Sequence, residues 1–271
     1  MSYARVLSTF YTEPWLLRPD VHASLGHALQ QHLRSPAAAL PMERDRDEER
    51  VGIVRHGPVA MIEIHGVIGR HLSLLEHCAG GYDLHYLEQQ LHQLDASDAS
   101  VVVVGIDSPG GRMPGVPEGA ALLARLGQSR RVVAYADGCM CSAAYWLAAG
   151  AGEIYAAPSA AIGNIGAYIA AIDDSRAWEM EGLKLELFRS GDKKAIGISG
   201  REWTDEDRAY MQAKADRAGA EFRRWVSARR PQVAAAAMDG SWFDGAQALD
   251  LGLIDGTALS IYDLVAELAR G

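Results

Sequence analysis

The sequence predicts an α/β fold, and three observations carry that prediction. From residue 58 onward, short continuous apolar runs of strand length alternate with segments of helical period. The runs are rich in valine and isoleucine, as buried strands are, and glycine-containing turns close several of them. At 271 residues, of which 49% are apolar, the chain can bury a sizeable core as one large domain or two small ones.

Taken in order, residues 1–35 carry Trp15, Leu16, Leu17, Val21, Leu25 and Leu29 at near-helical spacing, which predicts a short amphipathic helix. Residues 35–50 combine two prolines, an alanine run and a charged string, the composition of an exposed linker. The chain therefore divides into an N-terminal helical segment with its linker, 1–50, and a main domain, 51–271. In that domain strands are predicted at 59–64, 101–106, 132–135, 153–157, 165–171 and 183–188. Helices are predicted at 83–94, 116–126 and 142–149. A long one opens on Thr204 as N-cap, with Asp205, Glu206 and Asp207 at the positive end of its dipole, and runs to Arg229. Shorter helices follow at 246–251 and 261–269.

Composition excludes several function classes. A net charge of −9 argues against a nucleic-acid surface, which needs clustered cations, and Arg223, Arg224, Arg229 and Arg230 read as a solvated helix face. No apolar run approaches the roughly 18–20 residues that span a bilayer, and the N-terminus lacks a secretory signal pattern, so the expectation is a soluble cytoplasmic protein. Cys78, Cys139 and Cys141 lack the partner ligands of a zinc site and read as reduced residues in the core or near the site. His22, His27 and His32 repeat at five and spread around a helix, so no metal site is expected.

Two segments place glycines and a nucleophile at strand ends, where open α/β sheets hold their ligands. Asp107-Ser108-Pro109-Gly110-Gly111 follows a strand directly, and its double glycine allows bare N–H groups to approach a bound group. A plain tight turn accounts for the same residues. In Asp137-Gly138-Cys139-Met140-Cys141-Ser142-Ala143-Ala144-Tyr145 a serine opens a helix amid small neighbours. There the N–H groups of Ala143 and Gly111 could share an oxyanion, or Ser142 could be no more than a cap.

A nucleophilic serine needs a base. Every histidine lies at or before His92, so a chain order of Ser then His is impossible, although His65 or His77 could reach the site in space. The remaining base is one of four lysines, Lys184, Lys193, Lys194 and Lys214. Lys193 and Lys194 follow a predicted strand in the loop after Phe188-Arg189-Ser190-Gly191-Asp192, and either could reach Ser142. A lysine acting as base must be largely neutral, which requires desolvation or a neighbouring positive charge. Ser190-Gly191-Asp192-Lys193 also fits an S-x-x-K pattern, but the S-D-N and K-T-G partners of that pattern are absent from the sequence.

These residues, in this order, resemble the signal peptide peptidase A (protease IV) family of serine peptidases. The likeness covers roughly residues 58–260. It runs through Met61-Ile62-Glu63-Ile64-His65-Gly66-Val67-Ile68, the Asp107 to Gly111 and Gly138 to Tyr145 segments, and Ile162-Gly163-Asn164-Ile165-Gly166. It continues through the Ser190 to Ile196 loop, Trp203-Thr204, and Gly240-Ser241-Trp242-Phe243-Asp244-Gly245-Ala246-Gln247-Ala248. Within the family, Phe10-Tyr11-Thr12-Glu13-Pro14-Trp15 is similar to the head-maturation (capsid) proteases of tailed phages.

The resemblance implies a crotonase/Clp-protease-like α/β fold with stacked β-sheets flanked by helices. It implies Ser142 as nucleophile, Lys194 rather than Lys193 as general base, and Gly111 and Ala143 as oxyanion donors. Asn164 stands where the family often has a serine that helps hold the lysine, and its amide oxygen can accept the same hydrogen bond. No metal or organic cofactor is implied. The implied substrates are polypeptides, among them scaffold, portal or coat protein, cut inside the procapsid or host cytoplasm by a homo-oligomeric ring without a membrane anchor. A bacterial peptidase of the same family degrading signal peptides is the alternative. An acyl-thioester enzyme and a catalytically silent assembly protein of the same fold are the rivals.

Overall fold

The computed structural model describes residue 10 and residues 13–34, 52–73, 76–77 and 79–270. The linker at 35–50 and Cys78 lie outside the described residues. Six strands form the main sheet: β2 (Val54–His56), β3 (Val59–His65), β6 (Val101–Asp107), β8 (Arg131–Ala136), β10 (Glu153–Ala156) and β13 (Gly256–Thr257). Their order is β13-β10-β8-β6-β3-β2, parallel throughout except for the antiparallel β2 edge. Parallel strands need crossovers, and helices α2 (Leu84–Asp95), α3 (Val116–Leu126) and α4 (Ala143–Ala148) supply them.

Both faces of this sheet are covered, which explains the continuous apolar runs. Val102, Val104, Ile106 and Ala134 point into the large core with α2, α3 and α4. Val101, Val103, Val133 and Tyr135 point the other way, against Leu264, Val265 and Leu268 of the last helix, α8 (Ile261–Leu268). Two smaller sheets flank the first. One has the order β1-β7-β4-β5, with β1 (Trp15–Leu17), β7 (Gly110–Arg112), β4 (Ile68–Gly69) and β5 (Tyr82–Asp83). The other is β12-β11-β9, with β12 (Trp242–Phe243), β11 (Ala161–Gly163) and β9 (Cys139–Cys141). Mixed α/β architecture with several sheets flanked by helices is the observed fold.

The long helix α6 (Asp205–Arg229) opens on Thr204 with a full capping box, in which Thr204 Oγ1 accepts from Asp207 N–H and Asp207 accepts from Thr204 N–H. Its far end fixes α4: Phe222 stacks on Trp146 at 4.6 Å, and Trp225 Nε1 donates to the Trp146 carbonyl at 3.2 Å. Arg230, 4% exposed, closes the helix and donates to both Asp255 carboxylate oxygens at 2.8 and 2.9 Å and to the Gly252 carbonyl. Arg230→Ala strips these partners from a nearly buried site. It is expected to lower stability by about 2–3 kcal/mol, read as a lower urea midpoint at unchanged m value.

Three expectations change. Trp15, Leu16 and Leu17 form the strand β1 rather than a helix, and the helix α1 (Pro19–Arg34) begins only at Pro19, which suits a first helical turn. Residues 165–171 are extended without a strand ladder, pairing backbone to backbone only at a Tyr168–Trp15 bridge among the described residues. Residues 183–188 form no strand, and Phe188 is 94% exposed. Strand propensity needs a partner edge to take effect, and this arm has none among the described residues.

Candidate active site

The site forms where β6 and β8 deliver their chains to the ends of the main sheet. After β6 the chain turns through Ser108 and Pro109 into β7; after β8 it turns through Asp137 and Gly138 into β9 and then Ser142. The two turns are laced together by backbone bonds. Ser108 N–H donates to the Cys139 carbonyl at 2.7 Å, and Cys141 N–H donates to the Ser108 carbonyl at 3.1 Å. The Ser108 hydroxyl, fully buried, donates to the Gly66 carbonyl at 2.6 Å and accepts from Gly110 N–H at 3.2 Å.

Ser142 occupies the step from β9 to α4 with φ 57° and ψ −119°, a region that non-glycine residues avoid. Its N–H donates to the Gly163 carbonyl at 2.7 Å, which pins the turn to β11, and the residue is 1% exposed. A strained serine on a sharp strand-to-helix turn is held there by its surroundings rather than by its own preference. The helix it opens is only six residues long, so local N–H groups matter more here than a helix dipole.

Gly110 faces this turn at φ +105°. A side-chain carbon on it would lie 2.9 Å from Ser142 Cβ, 3.0 Å from the Cys141 carbonyl oxygen and 2.1 Å from the Leu16 carbonyl oxygen. Only glycine fits. Gly111 is equally constrained from behind, where an added carbon would lie 1.9 Å from the Ile68 carbonyl oxygen. The Ser108 hydroxyl takes up the Gly110 N–H, Gly111 pairs with Leu16 across the neighbouring ladder, and Ala143 opens the helix directly after Ser142.

The other expected residues are placed as follows. Asn164 follows Gly163 in a left-handed conformation, φ 54°, which asparagine tolerates. Its N–H donates to the Ser241 carbonyl and its Nδ2 to the Gly240 carbonyl at 2.5 Å, which ties the turn to the segment before β12. Lys194 sits in an exposed turn where its N–H donates to the Gly191 carbonyl at 2.9 Å. No hydrogen bond joins it to Ser142 or Asn164 among the described residues. Lys193 is committed elsewhere, 2.5 Å from Glu206 and over the Tyr210 ring. His65 pairs with Glu63 at 3.2 Å and His77 lies 4.0 Å from Asp83, so each has an acidic neighbour of its own.

Cys139 and Cys141 are free, and Cys141 precedes the serine directly. The Cys141 thiol, and after it the Arg18 guanidinium, hold the Cys139 thiol below its ordinary range. Sequence reasoning missed this approach of the N-terminal segment. Ser108 and Gly110 were also missed as shaping residues, although the Ser-Pro-Gly-Gly turn contained both.

An α/β protein that holds a strained serine against glycine backbone is the class that fold and site define. Residues 124–270 match peptidase family S49, more than half of the chain, and the protein belongs to that family. It is similar to capsid assembly protease C of Escherichia phage lambda, 27% identical over 201 residues that span 73% of this chain and 46% of the relative. It is also similar to head-tail preconnector protein GP5 of Enterobacteria phage P21, 24% identical over 275 residues, 93% of this chain and 54% of the relative. The chain thus spans about half the length of these curated relatives. Among solved structures, a membrane protease specific for a stomatin homolog from Pyrococcus horikoshii aligns with TM-score 0.44 at 17% identity, covering 79% of each chain. An enoyl-CoA hydratase/isomerase family member aligns with TM-score 0.42 at 15% identity, covering 81% of this chain and 74% of that one.

Proposed function

We propose that the protein is a serine endopeptidase with a Ser142/Lys194 dyad that cuts phage head proteins, scaffold, portal or coat, during maturation in the procapsid or host cytoplasm. The observation that carries this reading is the strained backbone of Ser142, held against Gly110 on a sharp strand-to-helix turn; the N–H groups of Gly111 and Ala143 are the proposed oxyanion donors. Neutral Lys194 takes the hydroxyl proton as Ser142 Oγ attacks a peptide carbonyl, and the two N–H groups hold the oxyanion. The lysine returns the proton to the leaving amine, and water activated by the same lysine then hydrolyses the acyl-enzyme. Asn164 orients the lysine through its amide oxygen. Similarity to the lambda and P21 head proteins supports the choice of substrates.

The exposed position of Lys194 bears on assembly. Its arm also carries Met180, Leu183 and Phe188 at 83%, 48% and 94% exposure, an apolar series that a neighbouring copy would cover. We place the arm in the contacts of a homo-oligomeric ring, where burial would desolvate the lysine as its role requires. Specific activity is therefore expected to fall on dilution, in step with loss of the oligomer in sedimentation velocity.

Incubation with an unstructured protein such as casein, together with fluorophosphonate labelling of the assembled protein, tests the function. Cleavage with label on Ser142 supports it. A folded, assembled protein that neither cleaves nor labels would favour the silent-assembly alternative.

A further inference from the structure

The strand β1 lies in a slot that is bonded on both edges. Along one edge it pairs antiparallel with β7, in the register Trp15 to Arg112, Leu16 to Gly111 and Leu17 to Gly110. Along the other, Trp15 N–H donates to the Tyr168 carbonyl at 2.8 Å and Tyr168 N–H donates to the Trp15 carbonyl at 3.1 Å. Bonds from Arg18 N–H to the Pro109 carbonyl and from Met113 N–H to the Pro14 carbonyl flank the ladder. In an antiparallel ladder hydrogen-bonded pairs recur at every second residue, so Leu16 and Gly111 form the bonded pair between them. The Gly111 N–H is thus directed at the carbonyl of Leu16.

That carbonyl is also beside the nucleophile. The Leu16 oxygen and Ser142 Cβ lie 2.1 and 2.9 Å from the one point where a side-chain carbon on Gly110 would sit. An extended peptide bond of the chain itself therefore pairs with Gly111 and comes within reach of Ser142, which is 1% exposed. The side chains fit the slot as well: Leu16 packs into the main core, while Trp15 and Leu17 join Phe10, Leu29 and Tyr168 in a separate cluster. Arg18, next in the chain, reaches Asp20 at 2.8 Å and lies over Trp242.

We propose that the slot between β7 and the Tyr168 backbone binds extended polypeptide with consecutive aliphatic residues, and that β1 occupies it as a built-in pseudosubstrate which must leave before another polypeptide is cut. Main-chain pairing supplies the affinity and the two leucine sites the selectivity, as in other strand-addition sites. The inference rests on the peptidase reading for its consequence but not for the binding itself.

The full-length protein carrying Leu17→Asp, Leu17→Ala or, separately, Leu16→Pro tests it. The aspartate variant puts a charge inside the small cluster, the alanine variant only thins it, and the proline variant removes the Leu16 N–H from the ladder. Tethering sets an effective concentration in the millimolar range, so release of β1 is expected to raise kcat/KM for an extended fluorogenic peptide roughly tenfold or more, mostly through KM. The acetylated, amidated peptide of residues 13–18 should inhibit the released variants competitively, and a scrambled peptide should not. A fluorescent form of that peptide should bind Leu17→Asp/Ser142→Ala, which cannot cleave. Loss of residues 1–16 from wild type but not from Ser142→Ala, by intact mass, would also show the Leu16 carbonyl within reach of the serine.

If no variant cleaves anything but the peptide binds the double variant, the peptidase reading fails and the slot stands. If wild type cleaves while all three variants, still folded by circular dichroism, are no faster and bind no peptide, β1 is only structural and the inference is overturned.

Discussion

Ser142→Ala is expected to lower cleavage of an unstructured protein by on the order of 10⁴-fold or more and to abolish fluorophosphonate labelling, with the fold intact. On the proposed reading the serine supplies the bond-forming oxygen; the Ser108 hydroxyl, also against Gly110, is buried and committed to the Gly66 carbonyl. A second substitution separates chemistry from stability. Ser142 holds φ 57° and ψ −119°, a conformation that costs a non-glycine residue about 1–3 kcal/mol. Ser142→Gly removes that strain at the cost of a more flexible unfolded chain. The net expectation is an inactive protein more stable by on the order of 1 kcal/mol, seen as a higher denaturant midpoint. Retained activity in Ser142→Ala would move the nucleophile elsewhere, and a clear loss of stability in Ser142→Gly would mean that the turn is relaxed.

The main sheet was legible because its three central strands are buried on both faces, which writes a continuous apolar run into 59–64, 101–106 and 132–135. The long helix was legible because Thr204 and Asp207 cap it within the sequence itself. The Ser-Pro-Gly-Gly turn and the serine after β9 were legible as a pair because both follow sheet strands. What stayed hidden depends on partners distant in sequence. Trp15-Leu16-Leu17 has the spacing of a helix start, and only β7, roughly a hundred residues away, and Tyr168, roughly 150 away, make it a strand. The same dependence works in reverse at 183–188, where strand-forming residues find no partner edge and remain exposed.

Lys194→Ala is expected to lower hydrolysis by about 10³-fold, whereas Lys193→Ala should leave it within a factor of a few. The two lysines are neighbours in sequence, but their surroundings separate them. The Lys193 ammonium is held by Glu206 at 2.5 Å and faces Tyr210, an arrangement that ties it to α6. Its exposed ion pair should contribute well under about 1 kcal/mol to stability, so little else is lost with it. Lys194 forms no such pair among the described residues, and the proposed reading turns it toward Asn164 and Ser142 when the arm is covered. Lys194→Arg sharpens the test, because arginine keeps the charge and the reach yet does not give up its proton near neutral pH. An arginine that restored activity would show the side chain acting by charge alone. An inactive arginine variant that still assembles would leave proton transfer as the role of this position, and loss of activity with Lys193→Ala instead would exchange the two lysines.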